Sequence, residues 1–494
     1  MNRRSACYCV LCAVAAAAFA FLMFANPSAA NAQPSGKPVS FVNDVAPILK
    51  ENCFACHDAR KKSGKYDMTT FEKLLAGGAE GGAVTAGKPA ESDLHALIVT
   101  AEERRMPPRD KGSAVPAAKA KVIEQWIKEG AKLDGGLDAK SDLNKELRTR
   151  WKPPAPPEKY PFPAVVNSLA FTPDSKAIVV GGHHELTVWS VEEAKLLKRI
   201  ATRAERAYAM AFLPKGQLAV AGGRPGQEGD VRIYDIAGAG KAVNGVAMLD
   251  GVNDPKVMLK QLVEVDDSVL CLAVSADGNR LAAGGCDRTV RVWDLTSGFA
   301  TAKLDQTIEN HADWVLGLSL SADGKYLATA ARDKTAKVWD LKSKESIMTF
   351  PEHQAIVYGV FLNKDSSLGY SVGSDRQLRS WKPNGEGKQV KSSAAHGDET
   401  FKVVAHPKDP MLATSSADKT VRLWDMDKLS NTKTLQGLTD HVFAVAFSPD
   451  GLLVAGGSYD GEVRIWKIAD ATVLKGFNAS PGYVAKTVAT PPKK

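Results

Sequence analysis

Apolar residues follow two different patterns along this 494-residue chain. In the first part, four stretches that begin near Asn43, Thr69, Pro89 and Pro116 show the i, i+3, i+4 spacing of helices. From about residue 161 onward, short apolar runs alternate with turn signals such as Pro-Asp and Asp-Gly. The pattern therefore predicts a small helical region followed by a longer region of β-strands.

The clearest predicted helix begins after Pro116, where the missing N–H is harmless. Gly130 suits the C-terminal cap of this helix. Its apolar stripe comprises Val122, Ile123, Trp126 and Ile127. Another predicted helix runs over Asn43 to Lys50, with Pro47 tolerable in its first turn.

An aromatic residue marks each repeat of the β region at intervals of roughly 42 residues. These residues are Trp189, Tyr234, Trp293, Trp339, Trp381, Trp424 and Trp466. The interval from Tyr234 to Trp293 is longer, which predicts an inserted loop near residues 238–262. A single unit of this kind cannot bury both its faces, so the repeats are expected to stack around a ring.

The first 32 residues have the form of a secretory signal peptide. Arg3 and Arg4 precede an apolar run, and Ala30-Asn31-Ala32 resembles a cleavage site. We therefore predict export to the periplasm. The apolar run is also long enough to span a bilayer, so an uncleaved membrane anchor remains the alternative.

Composition narrows the possible partners and the redox chemistry. A net charge of +8, without a long Lys/Arg block, does not indicate nucleic-acid binding. Outside the predicted signal peptide the chain has four cysteines, and Cys271 and Cys286 are two of them. In an exported protein these two could form a disulfide, or they could be free buried thiols.

The other two cysteines belong to Cys53-Phe54-Ala55-Cys56-His57, the C-x-x-C-H attachment sequence of a c-type haem. Two thiols at this spacing can form thioethers with one porphyrin, and the following histidine can ligate the iron. A zinc site would need a second Cys or His pair, and a redox pair would need a βαβ setting. We therefore predict one covalent haem c attached at Cys53 and Cys56, with His57 as proximal ligand.

The first region resembles the planctomycete-type cytochrome c domain. The resemblance rests on residues 43–49, the haem motif, residues 87–94, Met106-Pro107-Pro108 and residues 126–131. It implies a small all-α class I cytochrome c-like domain over residues 38–136, with Met106 as the distal iron ligand. Two other residues are weighed against Met106 as the distal ligand. Met68 is interpreted as a core residue, and His95 as a residue on the surface of a helix or one that supports a ligand without contacting the iron.

A basic cluster follows the haem motif and consists of Arg60, Lys61, Lys62 and Lys65. Positive charge beside an exposed haem edge would attract an acidic redox partner. The alternative interpretation is an ordinary solvated loop.

The β repeats resemble the WD40 family, most clearly at residues 418–425. In that family a His, a Ser or Thr, an Asp and a Trp form a buried hydrogen-bond chain. Three repeats match fully, with His311, Thr329, Asp333 and Trp339; His353, Ser371, Asp375 and Trp381; and His396, Thr414, Asp418 and Trp424. Because these residues recur at blade spacing, we interpret them as structural and not as acid–base catalysts. The last repeat departs, with Leu438 and Gly456 in place of the His and the hydroxyl.

The predicted organisation is a signal peptide (1–32), a cytochrome domain (38–136), a Pro-rich linker (137–160), an all-β seven-bladed WD40 propeller (161–480) and a tail (481–494). We predict an exported monohaem cytochrome that transfers single electrons to an unidentified redox protein, while the propeller face binds a protein or peptide. Two alternatives remain open: a periplasmic oxidoreductase with a second active site in the propeller, and a non-catalytic haem-containing scaffold or sensor. No catalytic motif is visible, which favours a carrier or binding protein over an enzyme.

Overall fold

The computed structural model describes residues 37–59, 61–383 and 387–484. The predicted signal peptide, Arg60 and the end of the tail lie outside the described residues. The chain divides into two compact units, of which the first ends at Arg150 and the second begins at Trp151. In the part of the chain that is described, no helix is long and apolar enough to cross a membrane.

The first unit is built from short helices. A π-helical turn over Phe41–Val45 leads into the first α-helix, and Pro47 lies in the first turn of that helix as predicted. The α-helices are α1 (Ala46–Asn52), α2 (Phe71–Ala76), α3 (Asp93–Val99), α4 (Ala117–Lys128) and α5 (Leu143–Arg150). Two short 3-10 turns lie between them, at Ser63–Lys65 and Pro89–Glu91.

Aromatic side chains hold the core of this unit together. The ring of Phe41 lies 4.8 Å from that of Phe71 and 5.3 Å from that of Trp126, measured between centroids. The indole N–H of Trp126 donates to the Lys132 carbonyl at 2.9 Å, so the buried polar atom is satisfied. The apolar stripe predicted for α4 thus packs against the turn that precedes α1.

Helix α5 lies inside residues 137–160, which are predicted to form a linker. Leu143 is only 2 % exposed and joins the core of the first unit, and its N–H donates to the Thr69 carbonyl at 2.9 Å. The helix carries few apolar residues, so it has too weak an apolar stripe to be recognised from spacing. Its position depends on tertiary packing.

The second unit is a β-propeller made of four-stranded antiparallel blades. Its first sheet combines two blades, because the 17-residue strand β4 belongs to both. Blade 1 contains β1 (Leu169–Phe171), β2 (Ala177–Gly181), β3 (His183–Ser190) and the first part of β4 (Leu196–Phe212). Blade 2 contains the rest of β4, β5 (Leu218–Arg224), β6 (Glu228–Tyr234) and β9 (Met258–Val265).

Each of the next five sheets is one blade. Blade 3 has β10 (Val269–Val274), β11 (Arg280–Gly285), β12 (Val290–Asp294) and β13 (Lys303–Ile308). Blade 4 has β14 (Val315–Leu320), β15 (Tyr326–Ala331), β16 (Ala336–Asp340) and β17 (Glu345–Phe350). Blade 5 has β18 (Val357–Leu362), β19 (Gly369–Gly373), β20 (Gln377–Trp381) and β21 (Gln389–Ala394). Blade 6 has β22 (Thr400–Ala405), β23 (Met411–Ser416), β24 (Val421–Asp425) and β25 (Ser430–Leu435). Blade 7 has β26 (Val442–Phe447), β27 (Leu453–Ser458), β28 (Glu462–Lys467) and β29 (Val473–Asn478).

The structure confirms the predicted insertion near residues 238–262, but the insertion does not form a loop. Strands β7 (Lys241–Val243) and β8 (Val246–Asp250) form a hairpin there, and β9 is the outer strand of blade 2. Strand β8 pairs in parallel with residues 198–201 of β4 and extends blade 1 at its outer edge. An edge strand offers unpaired backbone groups, and the hairpin satisfies them. The sequence around this hairpin is rich in glycine and its apolar runs are short, so the pattern of apolar residues does not predict the pairing.

The ring closes through contacts between the first and the last blade. The innermost strand of each blade contacts that of the next, and β26 contacts β1. The N–H of Val166, just before β1, donates to the Ser458 carbonyl at 3.1 Å, and the N–H of Ala164 donates to the Ser480 hydroxyl at 2.8 Å. All seven aromatics that mark the repeats are buried in the third strand of their blades.

Candidate functional site

The haem motif forms a helical turn directly after α1. The N–H groups of Cys56 and His57 both donate to the Cys53 carbonyl, at 3.1 and 3.0 Å. Cys53 and Cys56 are free thiols, and both are partly exposed. Two partly exposed thiols on one turn are the arrangement that covalent attachment of a haem requires.

The His57 imidazole lies beside Tyr66, with ring centroids 5.5 Å apart and the ring planes inclined by 63°. Its Nδ1 atom is buried and has no hydrogen-bond partner among the described residues. Tyr66 is itself fixed, because its hydroxyl donates to the Leu74 carbonyl at 2.7 Å. A buried ring nitrogen without a hydrogen-bond partner is unusual in a folded protein, and no contact within the described residues explains this histidine. The residues of the motif therefore fit a haem.

The electrostatics of the two thiols differ. Burial, with a smaller contribution from the Cys56 charge, raises the pKa of Cys53 to about 12, so this thiol is protonated at neutral pH. The Lys61 ammonium lies 3.5 Å from the Cys56 sulfur and 3.3 Å from the Ala55 carbonyl oxygen. One member of the predicted basic cluster thus touches the haem motif itself, while Lys62 and Lys65 are exposed.

Met106 lies in the loop between α3 and α4, and 36 % of its surface is exposed. Its N–H donates to the Leu97 carbonyl at 2.9 Å, which anchors the loop to α3. The pKa of Lys111 in this loop is raised, mainly by the hydrogen bond and charge of Asp110 and slightly by the charge of Cys56. Lys111 of this loop therefore lies within electrostatic range of Cys56.

The two other candidate ligands lie in different surroundings. Met68 is 4 % exposed and belongs to the core of the first unit, as predicted. His95 is half-buried on α3 and close enough to Glu124 of α4 to help lower the pKa of that carboxyl, after the larger effect of Lys128. In the described residues, no group of three or more His, Cys, Asp or Glu side chains is arranged to hold a bare metal ion.

The three predicted hydrogen-bond chains in the propeller are confirmed. In blade 4, the indole N–H of Trp339 donates to the Thr329 hydroxyl at 3.2 Å, and the Nε2 of His311 lies 2.7 Å from that hydroxyl. The Nδ1 of His311 lies 2.8 Å from the Asp333 carboxylate. Blades 5 and 6 repeat this arrangement.

These chains are enclosed in the blades. Burial alone would raise the pKa of Asp418, but hydrogen bonds from His396 and Thr420 outweigh it and hold the pKa below its usual range. His396 has a lowered pKa because burial disfavours its charged form more than Asp418 favours it. A largely buried, fully hydrogen-bonded group has no access to a substrate, which supports the structural interpretation.

The blades that lack the full set use other contacts. In blade 7, Leu438 packs over Gly456, where an added Cβ would lie 3.2 Å from the leucine side chain and 3.3 Å from Trp466. In blade 1, the Trp189 indole donates to the Thr187 hydroxyl at 2.9 Å. In the last blade, van der Waals contacts of Leu438 thus take the place of the hydrogen-bond chain.

Cys271 and Cys286 are both free thiols in the structure. Cys271 donates to the Gly284 carbonyl at 3.3 Å, and burial raises its pKa to about 12. It is therefore an unreactive buried thiol in this state.

Comparison with protein families supports both resemblances. The planctomycete cytochrome C family model matches residues 53–110, which include Cys53, Cys56, His57 and Met106. The WD domain, G-beta repeat model matches residues 259–294, 302–340, 387–425 and 430–467. The chain thus joins a segment similar to these cytochromes to a WD40 propeller.

Curated relatives match the chain over part of its length. The periodic tryptophan protein 2 homolog of Mus musculus is 35% identical over 202 residues, which cover 40% of this chain and 21% of that protein. Coronin-7 of Rattus norvegicus is 35% identical over 102 residues, or 19% of this chain and 11% of that protein. Nuclear distribution protein PAC1 of Coccidioides posadasii is 29% identical over 192 residues, or 39% and 35% of the two chains. In each case the match spans well under half of the relative.

Proposed function

We propose that this protein is an exported monohaem c-type cytochrome that transfers single electrons and uses its propeller to bind a protein partner. One observation carries the proposal: Cys53, Cys56 and His57 lie on one accessible turn, with the His57 Nδ1 buried and unpartnered. The first unit would then be a small class I cytochrome c-like domain.

The residues of the chain have distinct roles in this proposal. Cys53 and Cys56 would hold the haem covalently, and His57 and Met106 would be the ligands of its iron. When bound, the haem supplies one-electron redox chemistry. Packing against Tyr66 orients the His57 imidazole. The hydrogen bond from the Met106 N–H to the Leu97 carbonyl holds the loop that carries the Met106 side chain. Lys61 would place positive charge at the site of attachment and favour an acidic redox partner.

Haem loading of the full-length chain, expressed with a c-type maturation system in a bacterial periplasm, tests this proposal. Intact mass should show one covalent haem per chain, and a redox titration should fit a single one-electron step. Cys53→Ala and Cys56→Ala should each lose one thioether link, which shifts the absorption bands of the reduced, pyridine-treated haem. The matched control is Cys286→Ala, which removes a partly exposed propeller thiol and should leave the spectrum unchanged.

Other results would favour the alternatives. A second cofactor in the purified protein would indicate an oxidoreductase with an active site in the propeller. A loaded haem that exchanges no electrons with small redox proteins would indicate a scaffold or sensor. Mass analysis of the exported protein also shows whether residues 1–32 have been removed.

A further inference from the structure

The central channel of the propeller contains one charged side chain in otherwise uncharged surroundings. A cavity of about 170 Å³ lies among the innermost strands of the seven blades. Among the described residues that line it, Lys402 of β22 is the one with a formal charge. The remaining lining side chains are apolar, small or neutral polar ones.

Lys402 stands out when the blades are compared position by position. In blades 2 to 7 the innermost strand shows a register shift in its pairing with the second strand, and Lys402 is the first residue after the shift in blade 6. The equivalent residues are Ala209 in β4, Cys271 in β10, Gly317 in β14, Gly359 in β18 and Ala444 in β26. Small residues therefore surround the lysine and leave space inside the ring.

The ammonium group has no hydrogen-bond or ion-pair partner in the described part of the chain. Burial lowers the pKa of Lys402. Cys271 of blade 3 lines the same channel as Lys402 of blade 6. Cys271 cannot serve as counter-ion, because its thiol is neutral and donates to the Gly284 carbonyl. Lys402 is partly buried in the channel. A lone cation between walls of low dielectric attracts counter-ions, and a bound anion would balance its charge.

We propose that the central channel is a binding site for one small monovalent anion, held by the Lys402 ammonium. A cavity of about 150 Å³ admits a molecule as large as benzene, so a halide or an acetate-sized carboxylate fits the available space. A divalent anion would leave one negative charge unbalanced in the channel. Because the site exists only in the closed ring, the anion should stabilise the folded propeller.

Bromide is a suitable probe, because its anomalous scattering identifies it in a crystal. We expect an anomalous peak in the channel of the full-length protein, in contact with the Lys402 Nζ. The peak should be lost in Lys402→Met, which keeps the length of the side chain and removes its charge. It should persist in the control Lys364→Met, which changes an exposed lysine in the turn between β18 and β19.

Thermal unfolding supplies a second measurement in solution. Sodium bromide and sodium acetate, compared at one ionic strength, should raise the melting temperature of the wild type and of Lys364→Met more than that of Lys402→Met. Comparison of the two salts shows whether the site prefers a halide or a carboxylate. Equal shifts in all three proteins, or a channel without bromide in the wild type, would overturn the proposal. If Lys402→Met does not fold, the wild-type crystal decides the question alone.

Discussion

The hydroxyl of Thr414 serves two buried partners at once. The Trp424 indole N–H donates to it at 2.8 Å, and the Nε2 of His396 lies 2.7 Å away. The other nitrogen of His396 lies 2.9 Å from the Asp418 carboxylate. One small side chain thus links strands β23 and β24 to the loop before β22.

Replacing this threonine by valine tests how much the hydrogen-bond chain of blade 6 contributes to the stability of the protein. Thr414→Val keeps the shape and leaves buried donors without an acceptor, so the free energy of unfolding should fall by about 1–3 kcal/mol. The matched control is Thr349→Val on the exposed face of β17, with an expected change within about 0.5 kcal/mol. Urea unfolding followed by circular dichroism measures both. Equal urea midpoints for the two variants would show that the hydrogen-bond chain does not stabilise blade 6.

Met106 can be tested separately from the other candidate ligands. In the haem-loaded protein, Met106→Leu should abolish the ferric sulfur-to-iron charge-transfer band and lower the reduction potential, because thioether ligation raises it. Met68→Leu conserves volume in the core and should keep the band, with a stability change below about 1.5 kcal/mol. His95→Ala should also keep it. Persistence of the band in Met106→Leu would exclude Met106 as the sixth ligand.

At the scale of single elements, strand β4 has the largest structural role. It is 17 residues long, ends blade 1, begins blade 2 and also pairs with the inserted strand β8. Gly251 lies just beyond β8, packed against the Ala201 carbonyl, the Ile200 side chain and the Tyr234 ring. The close approach of backbone and side chains at this glycine brings the insertion against blade 1.

We expect Gly251→Ala to detach the insertion, because its new Cβ would overlap the Ala201 carbonyl oxygen. The loss of stability should be about 1–3 kcal/mol, the usual range for overpacking. Gly238→Ala is the control, since its Cβ would meet only the Leu249 side chain at an ordinary 3.5 Å. Hydrogen exchange of residues 246–250 measures the effect. Unchanged protection in Gly251→Ala would contradict the pairing of β8 with β4.

For the whole molecule, the seam between blades 1 and 7 is where the two ends of the propeller sequence meet. All strands of blade 1 come from the start of the second unit, and all strands of blade 7 come from its end. The seam therefore depends on side-chain packing and a few hydrogen bonds without exchange of strands. Because Gly457 lies against Val166 and Leu169, a larger residue there would separate the blades.

Gly457→Ala should consequently weaken ring closure. Its Cβ would overlap the stiff Val166 side chain, and we expect a loss of about 1–3 kcal/mol in the free energy of unfolding. Gly476→Ala on β29 is the control, because the nearest side-chain atoms would be 3.7 Å from the new Cβ. Amide exchange at Val166 should accelerate in the first variant only. Equal exchange in both variants would mean that the seam tolerates the added carbon.

The sequence by itself determined the features that depend on neighbouring residues or on a regular repeat. The haem motif is contiguous, so its helical turn follows from local geometry alone. The aromatics that mark the blades and the three hydrogen-bond chains recur at fixed spacing, and a repeated unit must satisfy the same contacts each time. Helices α2, α3 and α4 follow from their apolar spacing and from caps such as Thr70.

Only the tertiary structure decided the features that join distant parts of the chain. The pairing of β8 with β4, the docking of Leu143 into the first core and the contact of β26 with β1 have no local signal. Lys402 appears in the sequence as one lysine in a short strand, and the closed ring turns it into a charge enclosed by seven blades. In each case the free energy comes from contacts with residues far away in the chain, which spacing along the sequence does not encode.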